Sequence, residues 1–456
     1  MQLYGRYEIT LDAREEKEIS IICSLEENIE ELNAKDIIGK EIARIDKLVQ
    51  ESELSNTKMT KKEQENLRDY IIATDNFVVY RPSFGLHTLI AGYPWFLDWG
   101  RDALISFEGL LLVTKRFDIA KEVLLTFTKN IKFGLVPNGY SGFDNRPLYN
   151  SADASLLLFE QIKKYINYTG DEEFIKEKMY PYLKEIIKAY KSGIDVDDNN
   201  IYLDDDYLLV SGTPKTQNTW MDAKYGDFAV TPRNGKAVEI NSLWYNALKI
   251  MEELTKKFEG VKEAKEYGNL AKKCKIAFNE KFHQPKRKCL YDVLGDNKIR
   301  PNQLFSLALS YPVIDPESKM AEEMMETVTK KLLNSYGLKT LAKGEEGYVE
   351  LYEGDPFKRD ISYHQGITWV WLLGIYADSK KAMIKACKDK EKKKLWKKEY
   401  EDFKENLKST FGKEFYERGM VGSLSELHDS KSPYLPKGAL AQGWSVAEVA
   451  RILINE

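Results

Sequence analysis

Residues 94–110 read Pro94-Trp-Phe-Leu-Asp-Trp-Gly-Arg-Asp-Ala-Leu-Ile-Ser-Phe-Glu-Gly-Leu110. Two tryptophans, two aspartates and an arginine crowd the stretch from Trp95 to Asp102, where an apolar helix begins. Burying unpaired charge is expensive, so a plain core helix has little use for such a start. A pocket for a neutral, hydroxyl-covered ligand does. Aromatic faces cover the C–H side of a sugar ring, and carboxylate and guanidinium groups take its hydroxyls in charge-assisted hydrogen bonds.

Outward from this stretch the apolar spacing is overwhelmingly helical. It predicts helices over 62–78, 100–114, 117–132, 151–168, 171–192 and 236–258, then 262–282, 302–310, 317–334, 364–378, 390–411 and 440–454. The even-numbered members of this series are the more apolar or aromatic. The odd-numbered ones are rich in Lys and Glu around an apolar stripe, the composition of an outer layer. Alternating buried and exposed helices suggest six concentric hairpins, an all-α (α/α)6 barrel occupying 62–456. Before it, residues 1–23 alternate apolar and polar (Tyr7, Ile9, Leu11, then Ile19, Ile21, Cys23) and read as two short strands. Two strands are too few for a sheet, so they either pair elsewhere or are the trailing end of a β domain. A surface helix or two over 26–54 links them to the main body, giving an N-terminal unit over 1–61.

The chemically loaded segments lie before or at the start of the even helices: Trp99-Gly-Arg-Asp, Tyr149-Asn-Ser-Ala-Asp, Trp220-Met-Asp-Ala with Lys236 and Glu239, Arg300-Pro-Asn-Gln, Tyr363-His-Gln, and Ser425-Glu-Leu-His-Asp with Gln442-Gly-Trp-Ser. If the inner helices run parallel, these segments meet at one mouth. The expected wall of the pocket is then Trp95, Asp98, Trp99, Arg101, Asp102, Tyr149, Asp153, Trp220, Lys236, Glu239, Gln303, His364, Gln365 and Trp444. Trp369 and Trp371 lie further into an apolar run and read as core.

Composition narrows the class. Lys+Arg 68 against Asp+Glu 72 leaves a net charge of −4 with both signs dispersed, which argues against nucleic acid or an anionic membrane as partner. No apolar run approaches the roughly 20 residues needed to span a bilayer, and the start lacks a secretory pattern. Cys23, Cys274, Cys289 and Cys387 lack metal-ligand spacing and read as free buried thiols in a cytoplasmic protein. Histidines at 87, 283, 364 and 428 form no ligand set, so no metal is expected. Asp195-Val-Asp-Asp-Asn-Asn echoes a calcium loop but lacks its glycine and final glutamate; it reads as a polar turn.

Tryptophans and carboxylates without a recognisable serine or cysteine nucleophile suit glycoside hydrolysis, which needs two carboxyl groups. The candidates are Asp98, Asp102, Asp153, Asp222, Asp227, Glu239, Glu426, Asp429 and Glu448. Asp153 could also serve the helix dipole, and Glu239 and Glu448 could be halves of structural ion pairs.

Five segments carry a resemblance: Trp95-Phe-Leu-Asp-Trp-Gly-Arg-Asp, Trp220-Met-Asp-Ala, Val230-Thr-Pro-Arg-Asn-Gly-Lys-Ala-Val-Glu, Tyr363-His-Gln-Gly and Ala441-Gln-Gly-Trp-Ser-Val-Ala-Glu. In this order, over roughly residues 65 to 455, they resemble the C-terminal amylo-α-1,6-glucosidase domain of the glycogen debranching enzymes; the barrel is also similar to that of glucoamylases. The resemblance implies an (α/α)6 barrel and hydrolysis of α-1,6-linked glucose stubs with inversion, without a cofactor. It implies Asp222 as general acid and Glu426 as general base, with the carboxyl groups roughly 6.5–9.5 Å apart to admit water. Arg101 and Asp102 match the clamp on the terminal glucose, helped by Trp99 and Asp98. Phe107-Glu108 replaces the usual leucine-proline pair, and Tyr434 and Ala439-Leu440 replace the usual His and Gly-Cys. No segment resembles the glucanotransferase domain, so a separate glucanotransferase partner is an expectation. The alternatives are a glucoamylase- or trehalase-like enzyme for another linkage, and a glycan-binding subunit without turnover.

Overall fold

The computed structural model describes residues 8–23, 32–52, 60–141 and 146–454. The chain is mostly helical. In order, the helices are α1 (Ala34–Glu51), α2 (Lys61–Asp75), α3 (Gly100–Phe107), α4 (Phe117–Thr128), α5 (Ala154–Thr169), α6 (Glu172–Phe174), α7 (Tyr180–Ser192) and α8 (Val238–Phe258). They continue with α9 (Val261–Lys281), α10 (Phe305–Ala308), α11 (Lys319–Lys331), α12 (Pro356–Tyr363), α13 (Leu372–Ala386), α14 (Lys390–Glu417) and α15 (Gly443–Ile454).

Composition sorts these helices into two layers. In α15 every residue from Gly443 to Leu453 is buried, and α3 is buried throughout. A helix mostly apolar around its circumference belongs in the interior, and the charged residues these two carry, Arg101 and Asp102 in α3 and Glu448 and Arg451 in α15, are buried with them. By contrast, the 28 residues of α14 bury only Tyr400, Leu407, Phe411, Glu414 and Phe415. α9 buries only Ala264, Ala271, Cys274, Ala277 and Phe278, and it lies along α8. Among the inner helices α3 packs on α5, α5 on α8, α8 on α10, α10 on α13 and α13 on α15. α15 then returns to α3.

Several expectations need correction. Residues 8–23 form no strand; Ile9, Leu11, Ile19 and Ile21 are exposed and Cys23 is exposed, not buried. Tyr7 and residues 26–31 and 53–54 of the expected linker lie outside the described residues. The other three cysteines are buried free thiols. The helix expected over 302–310 is a 3-10 turn (Pro301–Leu304) followed by the single turn of α10. The one expected over 171–192 is broken by a π-helical stretch, Ile175–Met179.

The largest shift is at 364–378, where the helix begins only at Leu372. Gly366 sits at φ +129, and a Cβ there would meet the carbonyl oxygen of Val349 at 2.2 Å. The β-branched run that follows enters a five-stranded sheet, ordered Leu333–Asn334, Gly337–Lys339, Thr368–Trp369, Leu427–His428 and Pro436–Lys437. Its register sets Trp369 opposite Leu427, next to Glu426. Helix α12 was not foreseen, although Asp355 caps it with a bond from Lys358 N and Pro356 occupies its first turn. No helix among the described residues is long and apolar enough to cross a membrane.

Candidate active site

A cavity of about 210 Å³ opens at the starts of the inner helices. Its wall is Phe96, Trp99, Arg101, Asp102, Asn150, Gln217, Trp220, Asp222, Tyr363, Trp369, Glu426 and Trp444. Three carboxyl groups therefore face one small space, shared with six aromatic rings, one guanidinium and two amides.

The floor is a continuous aromatic cluster. Trp220 meets Trp371 edge-on at 5.0 Å, Trp369 at 5.5 Å and His364 at 5.3 Å between ring centroids. Trp371 stacks on Trp444 at 5.3 Å, and Tyr363 lies 4.8 Å from Trp369. Each such pair contributes about 0.5–1.5 kcal/mol beyond its buried area. Polar bonds fix the orientations. The Trp369 Nε1 donates to the Tyr363 carbonyl (2.9 Å) and the Trp220 Nε1 to Asn302 Oδ1 (2.6 Å). Asn302 in turn donates to Asp292 (2.8 Å), which Arg233 grips together with Glu239.

Arg101 organises one wall. Its Nε donates to both oxygens of Asp153 at 2.8–2.9 Å, and its Nη1 donates to Asp222 Oδ2 at 2.8 Å. Nη2 is buried without a protein partner, a donor left over for a bound hydroxyl. Burial raises the Asp222 carboxyl above its ordinary value, against the pull of Arg101. Burial, and the charges of Asp222 and Glu426, push Asp102 up to about 8.

Opposite, Glu426 is 2% exposed and is pushed up to about 7 by burial, with the Asp222 charge adding to the rise. Two donors hold it and pull the other way: the Tyr363 hydroxyl on Oε1, and the Ala439 N–H on Oε2 at 2.9 Å. Gly438, at φ +70, lets the backbone turn against this carboxylate; a Cβ there would stand 2.2 Å from Oε2. The Asp222 side chain, by contrast, remains 32% exposed.

The structure thus brings together Trp99, Arg101, Asp102, Trp220, Asp222, Glu426 and Trp444. Asp153 stands behind them, reaching the cavity through Arg101. Other expected wall residues are elsewhere. Trp95 is 58% exposed outside the cavity, where Phe96 takes its place. Asp98 is buried against Arg81 and Thr88. Tyr149 donates to the Asn130 carbonyl (2.8 Å), and Lys236 pairs with Asp204 and Asp206 at 2.6 and 2.7 Å. Glu239 belongs to the Arg233 network, and Gln303 bonds the backbone of Arg300 and Leu290. His364 is fully buried behind Trp369, its ring 5.1 Å away and stacked; burial holds its pKa well below the usual histidine range, so it stays neutral. Gln365 bridges Arg300 and Thr231 outside the cavity.

The rival carboxylates also separate. Asp227 is exposed in a hairpin turn, and Glu448 pairs with Arg451 at 2.6 Å. Asn150 and Tyr363 lie within the loaded segments without being singled out as wall residues, Gln217 lies outside those segments, and Trp369, expected in the core, lines the cavity. Among the described residues no group of three or more His, Cys, Asp or Glu is arranged to hold a metal ion.

Comparison with known proteins agrees with the sequence motifs. Residues 72–451 match the family described as amylo-alpha-1,6-glucosidase. The glycogen debranching enzyme of Saccharomyces cerevisiae is 27% identical over 393 aligned residues, covering 65% of this chain and 25% of the yeast protein. The chain thus spans about a quarter of that relative's length. With a match reaching from helix α2 into α15, the chain belongs to the amylo-alpha-1,6-glucosidase family.

Proposed function

We propose that the chain is an exo-acting glycoside hydrolase that releases single glucose units from α-1,6 stubs of a glycogen-like α-glucan, with inversion at the anomeric carbon. In this reading the six inner helices line an (α/α)6 barrel whose mouth holds the sugar. The observation that carries it is the meeting of Asp222 and Glu426 in one tryptophan-floored cavity, from positions 204 residues apart (426 − 222).

Exposure supports the division of labour. The leaving group is a polymer chain, so the acid must stand where a chain can depart; Asp222 is one-third exposed. The base needs to reach only a water molecule, and Glu426 is enclosed. Asp222 gives its proton to the C6 oxygen as the C1–O6 bond breaks, while Glu426 takes a proton from the water attacking C1 on the opposite face. Arg101 and Asp102 grip the hydroxyls of the terminal glucose under attack at C1, and tryptophan faces cover its C–H surface. The chemistry calls for no cofactor.

The test is glucose release from α-1,6, α-1,4 and α,α-1,1 substrates, with the anomer of fresh product read by NMR. The reading expects release from α-1,6 stubs as the β-anomer, abolished in Asp222→Asn and Glu426→Gln with sugar binding retained. Release mainly from α-1,4 or α,α-1,1 substrates, or from none, overturns it.

A further inference from the structure

Directly after Asp222 the chain makes a hairpin, Lys224–Tyr225 pairing with Phe228–Ala229 around a turn at Gly226, φ +57. The Val230 N–H donates to the Ala223 carbonyl at 3.0 Å and closes its base beside the acid candidate. Folding does not explain its side chains. Tyr225 is 47% exposed and Phe228 56%. Tyr225 meets a third exposed ring, Phe357 of α12, at 5.0 Å and 71°. Large rings gathered in solvent contribute little to the core and mark a binding surface. α12 ends at Tyr363, whose hydroxyl donates to Glu426, so the patch joins the segment that carries Asp222 to the helix that ends on the residue holding Glu426. Phe228 also lines an open groove of about 690 Å³ with Val230, Thr231, Ile361 and Gln365.

We propose that Tyr225, Phe228 and Phe357 form a platform for the α-glucan chain that leaves the reaction, a proposal resting on the hydrolase reading above. The side on which the acid stands is the side to which the leaving oxygen points, and the residues after Asp222 continue that side into solvent. A chain held there offers apolar C–H faces at each sugar, which these rings cover without reading any one hydroxyl. The glucose cavity then holds one unit, and the platform supplies affinity for the remainder of a large substrate.

The experiment compares isomaltose with 6-O-α-glucosyl-maltoheptaose as substrates of the full chain, the Tyr225→Ala/Phe228→Ala variant and Phe357→Ala. For the long substrate, kcat/KM falls about tenfold or more, chiefly through KM, while isomaltose changes less than about twofold. Tyr225→Phe and Phe228→Tyr keep wild-type values, and thermal unfolding is unchanged because the rings are exposed. An equal fall on both substrates, no fall on the long one, or a change in oligomeric state in place of a change in KM overturns the platform. If the wild-type chain cleaves neither substrate, the hydrolase reading fails separately. The platform is then judged by calorimetric titration with maltoheptaose: weaker binding by the double-alanine variant supports it, and equal binding overturns it.

Discussion

Arg101 and Asp222 stand 121 positions apart in the chain and 2.8 Å apart in space, Nη1 of one donating to Oδ2 of the other. The same guanidinium holds Asp153 through Nε. One buried cation thus balances two carboxylates brought in by two other segments, and it ties the acid candidate to the start of α3.

Arg101→Ala leaves Asp153 buried without its cation and strips the half-buried Asp222 of the same partner. Breaking a buried pair by removing one partner costs about 3–5 kcal/mol, so unfolding shifts to clearly lower temperature and glucose release is lost. Arg101→Lys restores the charge but not the fork that serves two carboxylates. It recovers part of the stability and little of the activity, as thermal unfolding and a glucose assay on the same preparations would read.

Tyr363→Phe tests the base. Burial lifts the Glu426 carboxyl to about 7, and the Tyr363 hydroxyl counteracts that by bonding the charged form. A base must be ionised, so kcat/KM rises with pH through this value. Removing the hydroxyl raises the carboxyl further and moves the acid limb to higher pH, by about one unit or less. The expected signature is a large loss at pH 6 that narrows at pH 8; a uniform loss across the profile contradicts the assignment.

Much of this was legible in the sequence, for physical reasons. A helix buried on all sides, such as α15, announces itself by composition, and a charged helix with one stripe, such as α9, does the same for the outer layer. What was not legible depends on aim. Asp98 and Asp102 lie four positions apart in the same motif, on either side of the start of α3, yet one faces Arg81 and the other the cavity. Lys236 and Glu239 carry suggestive charges, and each is consumed by a partner 30 or more residues away or by Arg233. The run Ile367 to Leu373 is apolar but for Thr368, so periodicity alone does not separate strand from helix, and the sheet that seats Trp369 is not evident from it. Tyr363 heads a segment the sequence marks as chemically loaded, but only the fold sets its hydroxyl on Glu426.

Asp102 makes stability fall with rising pH. The Gln442 amide satisfies both its ends with Nε2 on the Ala91 carbonyl and Oε1 on Trp444 Nε1, each 3.3 Å. This turns Oε1 toward Asp102 Oδ1, 3.4 Å away, where two acceptors need a proton between them. Burial puts the Asp102 carboxyl at about 8, against an ordinary value of 3.8, so the folded state binds the proton more tightly than the unfolded one. Its contribution is complete below pH about 4 and is lost as pH rises through about 8, on the order of a few kcal/mol. Asp102→Asn should flatten the decline in thermal midpoint between pH 5 and 9; an unchanged slope would place the effect elsewhere.

Glu108 replaces part of the usual leucine-proline pair, and its surroundings show what the replacement does. It sits buried in the π-helical stretch Glu108–Leu112, accepting from Lys164 Nζ at 2.7 Å and Tyr168 Oη at 3.0 Å, with Arg451 at 3.7 Å. Arg451 is shared with Glu448 and Asp378. Burial acts to raise the Glu108 carboxyl, but Lys164 and Arg451 carry it down to about 2. A carboxylate lowered in the folded state contributes stability above its unfolded pKa and loses it as pH falls through about 2. At neutral pH Glu108→Ala therefore strands Lys164 in the interior and costs about 3–5 kcal/mol. Adding Lys164→Met removes the stranded cation and recovers much of the loss, a coupling that a double-mutant cycle on thermal or urea unfolding measures. Because none of these groups lines the sugar cavity, glucose release per folded molecule should stay within about twofold. A fall in kcat without loss of stability would instead tie this ion network to the reaction.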